Sequence, residues 1–453
     1  PEHPPLLKDI SALPLVFMGI NFPDQSMYWP QSLNGQWDLG RQFLYESGND
    51  PDRILFWTRL GPIALTVLFG YLLFRLGSLF FGKGAALVAT ILFAFSPAIL
   101  AHGKYVTTDI AAAFGFFIAI AYFLLYLKEP SRKTLVVAGL AFGVAQALKF
   151  SLILLLPFFV GIAVLWAFAH AYHESWRAVG VAARQWLLGT FAVFAIGYLA
   201  IIWPLYQFHT WNYPAGTPTA QVREEIAVTS RYCPELDMAR IGPSQYRDTV
   251  CNLKTFRPHF VADIVIWASD KPVLRPFAQY AHGLLMVGHR TVGGNTTFFL
   301  GDVSREAWRS YFPIVYLIKE PLASHLITFA ALAVVLGMYA RNRGKRHAHA
   351  SRLARLAAFL RAYFVEATMA LFILFYWSVS IAGNLNIGVR HLIPVFPFTF
   401  LLASSIIVSY LQRKPDFRFD LSLETLREIA SFWKRKVLQY AALVIVLAWY
   451  VVS

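Results

Sequence analysis

Ten apolar runs of near-bilayer length dominate the sequence from residue 54 onward, and they limit what the chain can fold into. They lie at 54–76, 84–101, 109–127, 134–148, 150–169, 186–205, 321–340, 363–382, 392–411 and 437–452. A bilayer-spanning helix needs roughly 20 apolar residues. Charged residues make up only 14% of the chain, against a usual share of about 25%. The sequence therefore reads as an all-α polytopic membrane protein with about 9–10 transmembrane or re-entrant helices and surface helices in its outer loops.

The stretch 134–169 tests that reading. As one helix it reaches roughly 54 Å at about 1.5 Å per residue, too long for a hydrocarbon core about 30 Å thick. Two segments turning near Lys149 and Ser151 fit better. Alternation then places loops 75–83, 128–133, 170–185, 341–362 and 412–436 on one face. These short connections hold 21 of the 40 Lys and Arg residues, the bias that marks the inner side. The net charge of +15 is thus a topological signal, and nucleic acid is not an expected partner. The outer face receives residues 1–53, the polar knot His102–Asp109, the Lys149 turn, the segment 206–319 and Asn384–His391.

Four divisions follow. Residues 1–53 form a partial first outer loop with surface helices around Leu6–Phe17 and Gly35–Tyr45. Residues 54–205 form a transmembrane bundle, 206–319 a large outer loop, and 320–453 the C-terminal transmembrane helices. The start at Pro1 and the stop at Ser453 in an apolar run read as truncations at both ends. Cys233 and Cys251 both fall in the outer loop, where an oxidising exterior favours a bridge; two unpaired small residues are the alternative. Asn295-Thr296-Thr297 fits a glycosylation sequon, a short pattern that arises often by chance.

Ionised groups at membrane depth are costly and call for a reason. Asp109 and Lys149 are such groups, and with Glu2, His3, Lys8, Lys319, Arg390 and His391 they form the candidate site. Each also has a plainer reading. Asp109 can simply favour a positive helix end, Lys149 can snorkel to headgroups, Arg390 and His391 can anchor at the interface, and a Lys at a span entrance such as Lys319 is ordinary. The mixture favours a site: carboxylates able to accept a proton or bind a cation stand with cations able to hold a phosphate. No phosphate-cradling glycine loop, HExxH or paired CxxC occurs. His347 and His349 read as part of a solvated basic loop.

Five segments carry a resemblance. Pro1-Glu2-His3-Pro4-Pro5-Leu6 with Lys8, Val106-Thr107-Thr108-Asp109-Ile110, Ala138-Gly139-Leu140 through Leu148-Lys149-Phe150, Tyr311-Phe312-Pro313 with Lys319-Glu320-Pro321, and Leu385-Asn386-Ile387-Gly388-Val389-Arg390-His391-Leu392 occur in one order. In this the chain resembles C-type-fold membrane glycosyltransferases, the clan of protein O-mannosyltransferases and lipid A aminoarabinose transferases, and within it the bacterial dolichyl-phosphate-mannose-protein mannosyltransferase-like members.

The resemblance implies transfer of a sugar from a polyprenyl-phosphate carrier to a protein, lipid or glycan acceptor at the outer side of the bacterial inner membrane. It also implies that Lys149, Arg390 and His391 hold or frame the phosphate. Asp109 would orient substrate or a cation, and Glu2 and His3 would line the site, with a divalent metal as a further option. The family's principal base lies upstream of the segment matching Pro1, so Glu2 stands as a substitute. Two rivals are a transporter or flippase of lipid-linked or polar solutes, and a non-catalytic envelope-complex subunit.

Overall fold

The computed structural model describes residues 3–28, 35–212, 259–342, 351–412 and 423–453, together with positions 216, 220 and 222. Glu2, Cys233, Cys251, His347 and His349 lie outside the described residues.

Apart from one short hairpin the described chain is helical. Two surface helices, α1 (Leu6–Ala12) and α2 (Gln36–Arg41), precede α3 (Pro51–Ala94). Asp50 caps α3 by accepting from the Asp52 and Arg53 amides, with Pro51 in the first turn, where its missing N–H costs nothing. Next come α4 (Pro97–His102), α5 (Thr108–Lys128), α6 (Arg132–Leu148), α7 (Leu155–Ala171), α8 (Trp176–Gly197) and α9 (Trp203–Thr210). Outer helices α10 (His259–Ser269) and α11 (Arg275–Gly293) lead to strands β1 (Thr297–Phe299) and β2 (Asp302–Ser304). The chain closes with α12 (Tyr311–Lys319), α13 (Leu322–Asn342), α14 (Arg352–Ala362), α15 (Phe364–Ala382), α16 (Phe396–Leu411) and α17 (Leu423–Val452).

Among the described residues, eight helical runs are long and apolar enough to cross a membrane. One of them, 51–94, is two helices joined at a single residue, because Gly82 sits at φ 81° and ψ 161°, a conformation open to glycine at no steric cost. The 75–83 loop expected from the sequence is therefore helix on both sides of that one-residue turn. The 170–185 loop is likewise short, since Ser175 caps α8 through the Ala178 amide.

Helix α5 is the centre of the bundle: 89% of the residues in an 18-residue window of its span are buried. Its phenylalanines begin a ladder of rings. Phe117 meets Phe398 at 5.9 Å, Phe398 meets Phe372 at 4.7 Å, and Phe372 meets Tyr376 at 5.8 Å. Beside it, α6 and α8 touch backbone to backbone. A Cβ on Gly143 would stand 2.7 Å from the Gly197 carbonyl oxygen, and one on Gly139 would stand 2.6 Å from Ile196. Small residues four apart allow this approach, which van der Waals packing and not the hydrophobic effect must stabilise in lipid.

A second polar point lies at the α12–α13 corner. Glu320 is 5% exposed and its Oε1 has no hydrogen-bond partner among the described residues; Tyr316 and Tyr450 are its electrostatic neighbours. Tyr450 donates its hydroxyl to the Leu92 carbonyl at 2.7 Å, which ties the end of α17 to α3. Burial pushes the Glu320 carboxyl up from 4.5 to about 7. A carboxyl raised in this way stabilises the fold fully below pH 4.5 and loses that contribution as pH rises through about 7.

Two measurements follow from this packing. Glu320→Gln should flatten the fall in thermal stability between pH 5 and pH 8, an effect of about 3 kcal/mol at most; an unchanged slope would remove Glu320 as its source. Gly143→Leu should cost about 1–3 kcal/mol by overpacking, whereas Gly161→Ala, with open space around the added methyl, should leave the unfolding temperature where it is.

Candidate active site at the membrane surface

The polar knot before α5 ends at Thr107, whose extended backbone (φ −94°, ψ 149°) lets the helix start at Thr108. Asp109 thus falls in the first turn, where free backbone amides favour a carboxylate, and it is 6% exposed. Lys149 arrives from the other side. Helix α6 stops at Leu148, Lys149 is extended (φ −158°, ψ 140°), and a 3-10 turn follows over Phe150–Leu154. The lysine Nζ donates to Asp109 Oδ1 at 2.9 Å, with side-chain exposures of 14% and 8%. Lys149 therefore points inward to a partner and does not snorkel. Removing one member of a pair buried like this costs about 3–5 kcal/mol, because the other charge is stranded.

The turn is braced from outside. Gln146 Nε2 donates to the Leu152 carbonyl at 2.8 Å, and Tyr280 on α11 donates its hydroxyl to Gln146 Oε1 at 2.7 Å. Gly283, one turn after Tyr280, lies so close to Phe150 that a Cβ there would sit 2.1 Å from the ring. The outer helix α11 thus docks on Gln146 and Phe150, on either side of Lys149 in the chain.

Around the pair the charge is mainly positive. Lys149 and Arg390 act on Asp109, as does His102. Burial lowers His3 to about 4, helped by the Lys149 and Lys8 ammonium groups and the Arg290 guanidinium and opposed by Asp109. His102 is lowered too, chiefly by burial, against the opposing pull of Asp109. Both imidazoles are consequently neutral near pH 7. Four buried polar atoms near the pair have no protein partner among the described residues: His3 Nδ1, Thr107 Oγ1, Ser151 Oγ and His391 Nδ1. Each such group carries a penalty of about 1–3 kcal/mol until something bonds it. A polar, anionic ligand fits that inventory.

The fourth segment builds the far wall. Gly388 at φ 93° turns the chain into a 3-10 helix over Val389–Val395. Arg390 Nε donates to the Ile387 carbonyl at 3.0 Å, which orients the guanidinium. His391 lies between Phe312 at 5.5 Å and Tyr376 at 5.8 Å, at the top of the ring ladder. Asn384 and Asn386 have a different task. Their Oδ1 atoms accept from the Ala307 and Trp308 amides at 2.7 and 2.8 Å, and the Asn386 carbonyl accepts from Thr297 Oγ1 at 2.8 Å. They clamp the hairpin segment onto the bundle.

Of the residues expected from sequence, the structure brings together His3, Asp109, Lys149, Arg390 and His391, with the exposed Lys8 near enough to act on His3. Lys319 stands apart. It is exposed at the end of α12 and is not among the charges that act on Asp109, His3 or His391; its neighbour Glu320 is the buried residue of that signature. Glu2 falls outside the described residues. Sequence reasoning missed Arg290, Gln146 and Tyr280, whose placement depends on how α11 folds back. Among the described residues no three His, Cys, Asp or Glu side chains gather as a metal site, and the charges acting on Asp109 are Lys149, Arg390 and His102.

Residues 2–213 match the family model for dolichyl-phosphate-mannose-protein mannosyltransferase. No curated protein matches the sequence. Among solved structures the chain is similar to the Archaeoglobus fulgidus oligosaccharyltransferase in the apo form, at 14% identity and a TM-score of 0.39, over 98% of this chain and 51% of that one. It is also similar to ArnT from Cupriavidus metallidurans bound to undecaprenyl phosphate, at 16% identity and a TM-score of 0.29, over 94% of this chain and 73% of that one. The apo state of that ArnT gives 14% identity and a TM-score of 0.23, over 88% and 76%. The chain spans about half the length of the archaeal protein. The matched segment contains His3, Lys8, His102, Asp109 and Lys149, the larger share of the charged cluster, so the likeness to that family model falls on the part of the chain that builds the candidate site.

Proposed function

We propose that this chain is the membrane core of a glycosyltransferase that moves a sugar from a polyprenyl-phosphate carrier to an acceptor hydroxyl at the outer face of the bacterial inner membrane. One observation carries the reading: a buried Asp109–Lys149 pair at the ends of two membrane helices, in a setting with more cations than carboxylates.

A lipid-linked donor presents a phosphate at the depth where its polyprenyl tail enters the hydrocarbon. Lys149 and Arg390 supply a point charge and a planar fork there, the two modes by which side chains hold phosphate. In the reaction the acceptor oxygen bonds to the sugar carbon, the carbon–oxygen bond to phosphate breaks, and lipid phosphate departs with the electron pair. Its charge grows in the transition state, so cations aimed at it lower the barrier. Asp109 keeps Lys149 aligned and orients substrate. His3 and His391, each with a buried Nδ1 that has no partner among the described residues, are suited to bonding sugar or phosphate oxygens. The acceptor proton goes to a carboxylate of the first outer loop, and Glu2 is the candidate for that role in this sequence. The outer segment carrying α11 and the hairpin forms the acceptor side.

The test is release of lipid phosphate from a polyprenyl-phosphate-sugar donor by the full-length protein in nanodiscs. Lys149→Ala combined with Arg390→Ala should slow release by about 100-fold or more; an unchanged rate sinks the assignment. Lys149→Ala alone strands Asp109 and should also lower the unfolding temperature. Asp109→Asn with Lys149→Gln removes both charges together, so it should recover most of that stability and none of the activity. Recovery of activity in this double variant would mean that the pair is only structural.

A further inference from the structure

At the end of α7 opposite to Lys149, beyond a helix of 17 residues that is about 25 Å long, lies a cavity of about 570 Å³. It is lined by Tyr172, His173, Ser175, Trp176, Ala358 and Arg361, among others. That volume falls within the usual range for small-molecule sites, about 300–1,000 Å³. Nothing in the proposed transfer chemistry uses it.

Its construction is specific. Arg361 reaches from α14 to the frayed end of α7, donating from Nε to the Ala169 carbonyl at 3.1 Å and from Nη2 to the His170 carbonyl at 3.4 Å. The same Nη2 lies 2.9 Å from His173 Nδ1. Arginine only donates, so His173 Nδ1 is the acceptor. These contacts fix the guanidinium and leave its Nη1 donors without a partner among the described residues. Trp176 and Tyr172 form an edge-to-face pair at 5.2 Å beside it, rings of the kind that gather where a helix leaves the hydrocarbon. The floor is alanine from α14.

The surroundings place this cavity at a membrane surface. Helix α14 is basic and amphipathic: Leu353, Leu356 and Phe359 are 43%, 45% and 54% exposed, while Arg352 and Arg355 share the helix with Arg361. A helix of that composition lies in the plane of the interface. Arg177 opens α8 directly beyond Trp176. Among the described residues the acid at the rim is Glu174, whose side chain is 64% exposed and 3.8 Å from His173 Nε2. Short loops rich in Lys and Arg mark this face as the inner one.

We infer that the cavity is a binding site for the phosphodiester headgroup of an anionic phospholipid of the inner leaflet, with Arg361 as its anion contact and Trp176 and Tyr172 flanking the glycerol and upper acyl chain. Basic pockets between helices on this side of a membrane recognise such headgroups. The cavity's apolar wall and its level at the ends of α7 and α8 favour a lipid over a free anion, which would be held as well at an open basic loop.

The experiment uses the full-length protein purified in a neutral detergent. Thermal unfolding and native mass spectrometry are run with added phosphatidylglycerol, phosphatidylcholine or inorganic phosphate. Phosphatidylglycerol should remain bound and raise the unfolding temperature, and the other two should not. Ala358→Trp fills the cavity and leaves every Arg361 hydrogen bond in place, so it should abolish retention while the protein stays folded. Arg361→Gln should weaken retention by about fivefold, and where it misfolds the Ala358→Trp result decides. Equal retention of phosphatidylcholine, equal protection by inorganic phosphate, or unchanged phosphatidylglycerol retention in Ala358→Trp each overturns the inference.

Discussion

A lysine ammonium and an aspartate carboxylate 2.9 Å apart hold together the candidate site of this protein. Taking two charges out of water costs several kcal/mol per ion, and their attraction returns that only where the geometry is good and further bonds complete it. The chain meets that condition through architecture. Asp109 is delivered by the first turn of the most deeply buried helix, and Lys149 by a break between two helices that a glutamine and a tyrosine hold in shape. The cations and neutral imidazoles around the pair then find their places on four separate parts of the sequence.

The ring ladder gives that arrangement its rigidity. From Phe117 through Phe398, Phe372 and Tyr376 to His391 and Phe312, each contact falls between 4.7 and 5.9 Å. Ring pairs of this kind add about 0.5–1.5 kcal/mol each beyond their buried area. The ladder also links the central helix to the surface helix α12, so His391 is positioned from below and from the side.

Much of the frame was legible in the sequence because it follows from lengths. A run of 36 apolar residues cannot cross a core about 30 Å thick as one helix, and the turn falls at Lys149 as that argument requires. Loop charges then put Asp109, Lys149 and the Asn384–His391 segment on one face, and they meet. What was not legible depends on close contact. Gly82 makes a turn in one residue where a loop was expected. Asn384 and Asn386 stand out in the sequence only as part of an outer polar segment, and in the structure they clamp backbone amides. In the Lys319-Glu320 pair the acid is buried and the lysine faces outward, a choice of rotation that no count of apolar residues can make. Arg290 comes to the site only because Gly283 lets α11 lie against Phe150.

The contact of α6 with α8 has a mechanical consequence. Where Gly139, Gly143 and Gly197 bring two backbones together with no side chain between them, there is no soft layer to absorb sliding or tilting. The two helices move as one beam. Lys149 sits at one end of that beam, directly after Leu148, and the residues that open α8 near the inner cavity sit at the other. Close-packed contacts have low compressibility and pass strain on, so the two ends of the beam are coupled through this contact.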